Sequence, residues 1–360
     1  MHSFWTYVLR RLLVIPVTLL IVTAVLYALL MVASPEERAT LYLPPNQPRV
    51  MSPETYENII NRIITENGLD DPYPVQYGRW VISLLQGEWG YSPLYGAPVL
   101  ELLRQRTPAT LEIAFYALLL LIPLGLMSGL LAGWRPDRYW DRLFRTLAYV
   151  GGSIPSFILG LFLLSIFYVG LGWFPPGRLS AVQLLLGAGN FEQYTGFLTL
   201  DGLLNRRPDI TLDAFRHLVL PVVTLSVMYW ATLGRITRAA TMDETGKDYI
   251  LAAHARGLRH RRIIWRHTLR NVLVPGYTSM ALAAASVITG AFVVEVVFGI
   301  KGLSELIVRS MKATPDAALV MGLAVYSVLL VIPIMLVLDM LKALADPRLR
   351  EESDVVEVSP

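Results

Sequence analysis

The sequence predicts an all-α membrane protein with six transmembrane helices and short interfacial and cytoplasmic coupling helices. Composition, six long uncharged runs and the placement of basic residues predict it. Of 360 residues, 54% are hydrophobic and 16% charged, against about 25% charged in soluble domains. Mean hydropathy is +0.50. Such a chain cannot cover a soluble globule, and it is too apolar for disorder. A net charge of +3 is too small to point to a nucleic-acid partner. The absence of Cys removes disulfide frameworks, zinc ribbons and thiol chemistry.

The uncharged runs are 12–33, 113–134, 146–177, 218–234, 271–294 and 317–338. A helix needs about 20 apolar residues to cross about 30 Å of hydrocarbon. The first run is longer than the h-region of a signal peptide and reads as a membrane helix. The third, 146–177, is broken by Gly151, Gly152 and Pro155, so only part of it needs to span. The fourth is short and extends if Arg235 and Arg238 snorkel. With the N-terminus inside, 18 of the 31 Lys and Arg fall on inner segments and 13 on much longer outer ones. Both termini are then cytoplasmic by the positive-inside rule.

In the first outer loop, 53–67 predicts an amphipathic helix capped by Ser52, with Tyr56, Ile59, Ile60, Ile63 and Ile64 on one face. Segment 75–85 predicts another, with Tyr77, Trp80, Val81 and Leu84 aligned. Trp80, Trp89, Tyr91 and Tyr95 suit the lipid headgroups. Segment 98–106 reads as an interfacial helix that Thr107-Pro108 breaks before the second span. Segment 181–200 reads as part of a structured loop.

The loop between the fourth and fifth spans is the most informative. Asp248 is placed to cap a short helix, with Tyr249, Ala252, Ala253 and Arg256 on one face. Gly257 sits where a left-handed residue ends a helix. A basic helix with Ile263, Ile264 and Trp265 then leads into the fifth span. Ala252 and Ala253 permit a close protein contact, and Arg256 suits an acidic partner group. Alternatively, the nine basic residues between Arg235 and Arg270 only fix topology.

These residues resemble the coupling loop of ATP-binding-cassette importer permeases, in the branch for dipeptides, oligopeptides and nickel. The matching elements are Asp248-Tyr249 and Ala253-His254-Ala255-Arg256-Gly257-Leu258. The Glu of the broader permease motif is missing, and Pro275 lies where the peptide branch has it. The resemblance continues in order through Arg10-Arg11, Gly87 to Ser92, Arg106 to Glu112, Pro155-Ser156-Phe157, Gly172 to Pro175, His217 to Leu225, Val293 to Phe298 with Gly302-Leu303, and Asp346 to Arg350. Ile300-Lys301 departs from it, where family members often have an aromatic residue and Pro.

The resemblance implies a second homologous permease subunit, two cytoplasmic ATPase subunits and an external solute-binding protein, in the inner (plasma) membrane of a prokaryote. It implies no cofactor bound by this chain, with ATP and Mg in the ATPase subunits. The division it supports is a cytoplasmic N-terminus 1–11, a first helix 12–33, an external loop 34–111, a permease core 112–350 and a tail 351–360. Within the core lie an external loop 178–217 and the coupling loop 238–270. The expected cargo is a peptide, with oligosaccharides or nickel as alternatives. A secondary transporter is the competing class, and it would place ionisable residues at mid-span.

No phosphate-binding Gly-x-x-x-x-Gly-Lys-Ser/Thr and no His-Glu-x-x-His occurs. His254, His260 and His267 read as surface or interface residues, because His260 and His267 lie about 10 Å apart along a helix. Glu112, Glu295 and Asp339 stand at span ends, either as functional charges or solvated at the interface. Lys342 pairs with Asp339 at helical spacing. Arg216 and His217 precede the fourth span on the outer side, where an anionic substrate group would pass. Gly152 and Ser153 are the candidate pathway-lining residues, facing the bundle interior. Close helix packing is the alternative there.

Overall fold

The computed structural model describes residues 2–42, 52–180, 191–312 and 316–345. The side chains of Arg10, Arg11, Asp339 and Lys342, and the segments 181–190 and 346–360, lie outside the described residues. Among the described residues the regular structure is helical except for one antiparallel pair, β1 (Tyr91–Ser92) with β2 (Ala97–Pro98). Five helices are long and apolar enough to cross a membrane, and a sixth span is available if one bent pair counts as one. The chain divides into two compact units.

In the unit built from Arg10–Thr107 and Leu303–Ile332, helix α1 (His2–Leu30) is followed by α2 (Pro35–Ala39), α3 (Pro53–Asn67) and α4 (Tyr73–Gln86). Helix α3 has the expected bounds, and the Ser52 side chain accepts from the Thr55 N–H. Ile60, Ile63 and Ile64 are buried with Ala39 and Leu69. Trp80 packs on Tyr27 with centroids 5.0 Å apart, Trp89 meets Tyr326 edge-on, and Tyr91 is exposed. Helix α5 (Val99–Trp134) runs through Pro108 and Pro123, so Thr107-Pro108 does not break it. The Thr107 hydroxyl turns back onto the Leu103 carbonyl, 2.6 Å away.

The unit centred on Pro108–Gly302 holds the site. Helices α6 (Tyr139–Ser153) and α7 (Ser156–Gly170) meet at a 101° bend. Pro155, which cannot donate, begins the second arm. A short α8 (Leu198–Leu204) precedes α9 (Pro208–Thr245), a continuous helix of 38 residues. Next come α10 (Asp248–Ala255) and α11 (His260–Phe298), which carries a π-helical stretch at Ile263–Thr268. The chain continues in α12 (Leu303–Lys312) and α13 (Ala317–Ala345).

Close packing of α5 on α9 depends on glycines four residues apart. Gly125 faces Leu233, Gly129 faces Gly234 and Thr237, and Gly133 faces Arg238 and Thr241. A Cβ on Gly129 would lie 2.7 Å from the Thr237 Cβ. In a membrane such a stripe of small residues lets backbones meet. Arg238 does not snorkel as expected. Its Nη2 donates to the buried Asp141 at 2.9 Å, and Asp141 also accepts from the Asp137 N–H at 2.9 Å. Desolvation makes an unpaired buried carboxylate costly, so the pair fixes α6 against α9.

Candidate functional site

The short helix α10 stands between the ends of two long helices. Thr245 closes α9, and Lys247 is extended, with φ −81° and ψ 148°, before the new helix starts. Asp248 is the first helical residue; the cap position belongs to Lys247, which makes no side-chain capping bond. Its carboxylate still sits at the positive end of the helix dipole. The other end is as expected. Gly257 has φ +71°, its N–H donates to the His254 carbonyl at 2.9 Å, and the Leu258 N–H donates to the Ala253 carbonyl at 3.2 Å. This is the Schellman arrangement.

The faces of α10 differ from the expected assignment. Ile250 and Ala253 are buried with Ile263, and Tyr249, Leu258 and Trp134 pack against them. Ala253 therefore faces the protein's own interior. Asp248, Leu251, Ala252, His254 and Ala255 are exposed, with Arg256 beyond them. Asp248, Leu251, Ala252 and Ala255 fall at i, i+3, i+4 and i+7, so they form one face, and His254 turns aside to meet His260. Leu251 is 63% exposed, an apolar side chain with no cover from the described residues.

Glu244, on the last turn of α9, ties this helix down. It is 9% exposed. Its carboxylate accepts from Tyr249 Oη at 2.5 Å, from Asn271 Nδ2 at 3.2 Å and from Lys247 Nζ. Asn271 also donates to Tyr249 Oη at 3.0 Å. Burial, reinforced by the bond to Glu244, pushes the Tyr249 hydroxyl up to about 12. One carboxylate thus joins α9, α10 and α11, and displacement of α10 must load both long helices. Sequence reasoning missed Glu244 and Asn271. A Tyr five residues after a Glu was the only local signal.

His254 and His260 lie together, with Nε2 and Nδ1 3.2 Å apart, and Trp134 stacks on His254 at 6.3 Å. The Arg256–Gly257 turn folds the chain back and makes this pairing.

The expected pathway residues are differently placed. Gly151 is the buried one, and its added Cβ would meet Val227 at 2.9 Å. Gly152 and Ser153 are exposed on the surface of the single chain. The Ser153 hydroxyl bonds its own Tyr149 carbonyl at 2.7 Å. The helix face buried here is set by Asp141, Phe144, Ala148 and Gly151, which leaves positions 152 and 153 pointing away.

At the far end of α9 the carboxylates are buried, not solvated. Glu112 is 1% exposed and Glu295 is 0%. Glu112 Oε1 accepts from the Thr199 N–H at 2.9 Å and the Thr199 hydroxyl at 2.8 Å. Its Oε2 accepts from Arg178 Nη2 at 2.5 Å. Glu295 accepts from Thr110. Arg216 donates to the carbonyls of Trp173 and Gly172. His217 is buried, with Nδ1 2.8 Å from the Asp213 carbonyl. Arg216 thus holds the backbone of the Gly172–Trp173 turn, and His217 bonds back within its own helix, to the carbonyl four residues earlier.

Residues 122–351 match the family described as binding-protein-dependent transport system inner membrane component, and residues 4–114 match the N-terminal domain of such membrane components. The chain is similar to the probable D,D-dipeptide transport system permease protein of Escherichia coli, 37% identical over 81% of this chain and 84% of that one. It is 32% identical to an oligopeptide transport system permease protein of Bacillus subtilis, over 95% and 98% of the two chains. It is 30% identical to a probable peptide ABC transporter permease protein of Sinorhizobium fredii, over 96% and 99%.

Proposed function

The chain belongs to the binding-protein-dependent transport system inner membrane components, and from that premise we propose that it forms half of an ATP-driven pathway for peptide import. Its similarity to dipeptide, oligopeptide and peptide permeases favours peptide as the cargo class. On this reading a second homologous permease subunit completes the pathway and an external binding protein delivers the solute. Two ATPase subunits, which hold ATP and Mg, dock on the end of the molecule that carries Gly246. That end is cytoplasmic, as are both termini.

The observation that carries the proposal is the exposed face of α10, held by the Glu244 clasp. Asp248, Leu251, Ala252, Ala255 and Arg256 make the contact, and Leu251 supplies the apolar anchor. Tyr249 and Ala253 act from the inner face, as the tether and the packed base. Gly257 provides the turn into α11. ATP-driven movement of the partner then reaches α9 and α11 together. Gly152 and Ser153, exposed beside the break at Pro155, are assigned to the surface shared with the second permease subunit, where they border the pathway.

Reconstitution with the partner subunits tests this. Leu251→Arg and Ala252→Trp should abolish ATPase co-purification and substrate-stimulated hydrolysis, while membrane insertion stays normal. Normal co-purification of both variants would overturn the docking assignment. Orientation is tested separately in the Cys-free background. Thr245→Cys should react with an impermeant thiol reagent only from the inner face, and Tyr194→Cys only from outside. Bulky residues at Gly152 and Ser153 should slow uptake without loss of assembly. Competition by dipeptides and longer peptides, but not by oligosaccharides or nickel, would identify the cargo class.

A further inference from the structure

The stretch between α10 and the apolar run of α11 carries Arg259, Arg261, Arg262, Arg266 and Arg270. Several arginines elsewhere find carboxylates: Arg178 meets Glu112, Arg238 meets Asp141, Arg207 meets Asp209 and Arg62 meets Glu66. Among the described residues, Arg259, Arg261, Arg262 and Arg266 form no side-chain hydrogen bond or ion pair within the chain. Arg259, Arg261 and Arg262 line an open cleft of about 480 Å³ together with Trp265. All three are exposed, and Trp265 is 41% exposed.

The local helix geometry separates these side chains from the core. Through the π-helical stretch Ile263–Thr268, Ile263 and Thr268 are fully buried, whereas Arg261, Arg262, Trp265 and Arg266 remain on the outside. Several guanidinium groups held at close quarters repel one another unless an anion joins them. Guanidinium forks match phosphate oxygens in geometry as well as charge.

The position along α11 says which anion. This helix continues without a break into the apolar run that begins at Val272. About 10 Å of helix axis separates Trp265 from Val272, close to the depth of a headgroup layer, which is about 5–8 Å on each side of the hydrocarbon. Trp is enriched at that level. A basic cluster immediately beside a span attracts anionic lipid.

We propose that Arg259, Arg261 and Arg262, gathered around the cleft with Trp265, bind the phosphate of an anionic phospholipid headgroup and so moor the base of the α10 loop to the membrane surface. The site adjoins the docking face of α10 without sharing its residues, and it does not depend on which side of the membrane this end faces.

The test is titration of phosphatidylglycerol and phosphatidylcholine onto the detergent-solubilised full chain, with bound lipid read by native mass spectrometry. Wild type should prefer phosphatidylglycerol. Arg259→Gln/Arg261→Gln/Arg262→Gln should weaken it by about 5-fold per arginine, of order 100-fold in all, with phosphatidylcholine binding unchanged. The triple lysine variant should keep most of the preference, which shows that charge and not folding was altered. Phosphatidylglycerol binding by the glutamine variant at wild-type strength would overturn the proposal, as would an equal loss of both lipids. Displacement by inorganic phosphate at concentrations comparable to the lipid would assign the site to a free anion, and against lipid. Loss of ATPase co-purification with phosphatidylglycerol binding intact would assign the arginines to a protein partner, also against the proposal.

Discussion

Buried glutamates stand near both ends of α9 and are built in differently: Glu112 ties α5 to Thr199 of α8 and to Arg178, whereas Glu244 belongs to α9 itself. At the far end Glu112 takes a backbone N–H, a hydroxyl and a guanidinium from residues 66 and 87 positions away. At the other end Glu244 takes only side-chain donors, from Lys247, Tyr249 and Asn271. The Lys247 side chain is 54% exposed, whereas the Glu112 carboxylate is sealed. A backbone donor in a closed pocket cannot move without unfolding its segment. Side-chain donors at an open edge can change rotamer and be replaced by water. One end is thus tied through backbone, and the other only through side chains that can rearrange.

The largest predicted effect tests the fixed end. Glu112→Gln leaves the guanidinium of Arg178 without its anion, so it should cost about 3 kcal/mol or more, read as a lowered thermal unfolding midpoint in detergent. Adding Arg178→Met to Glu112→Gln should recover part of that loss, because the unpaired cation is gone and the Gln carbonyl still accepts from Thr199. Next comes Glu244→Gln, expected to cost about 1–2 kcal/mol yet to lower the number of solutes moved per ATP far more than Glu112 variants that still fold. Equal destabilisation by Glu112→Gln and Glu244→Gln would collapse the distinction. Tyr249→Phe removes two hydrogen bonds, the one donated to Glu244 and the one accepted from Asn271, but Asn271 keeps Glu244 as an acceptor, so the cost should be about 1 kcal/mol. It should retain ATPase co-purification while hydrolysis becomes less dependent on substrate. Lys247→Met, at a half-exposed ion pair, should change stability by about 0.5 kcal/mol or less, and an effect as large as that of Glu244→Gln would show that the pair, not the tyrosine, carries the clasp.

Local signals made part of this legible from the sequence. Ser52 with isoleucines at helical spacing fixed α3 to its exact bounds, and Gly257 marked the end of α10. Both depend on neighbours within a turn or two. Spacing alone also grouped Tyr249, Ala252, Ala253 and Arg256, but it cannot say which side of a helix meets protein. In α10 the buried side was decided by Ile263, beyond the turn, and by Trp134 on the distant α5. The same limit hid the contacts of Glu244 with Asn271, of Asp141 with Arg238 and of Glu112 with Thr199. Arg238 looked like a snorkelling residue because its partner lies 97 positions away. The glycine stripe 125, 129 and 133 was visible as letters, and its meaning required the facing helix.

The seam between α5 and α9 has a mechanical consequence. If α9 rocks about its crossing at Gly234, its arms are unequal: about 39 Å back to Pro208 and about 16 Å on to Thr245. A shift of 1 Å imposed at the Glu244 end then becomes a swing of roughly 2 Å at the opposite tip, reduced by whatever bending Pro221 allows. The helix is geared to trade force for travel. The fulcrum is the place where a single added methyl group would jam the lever, because nothing larger than hydrogen fits between Gly129 and its neighbours.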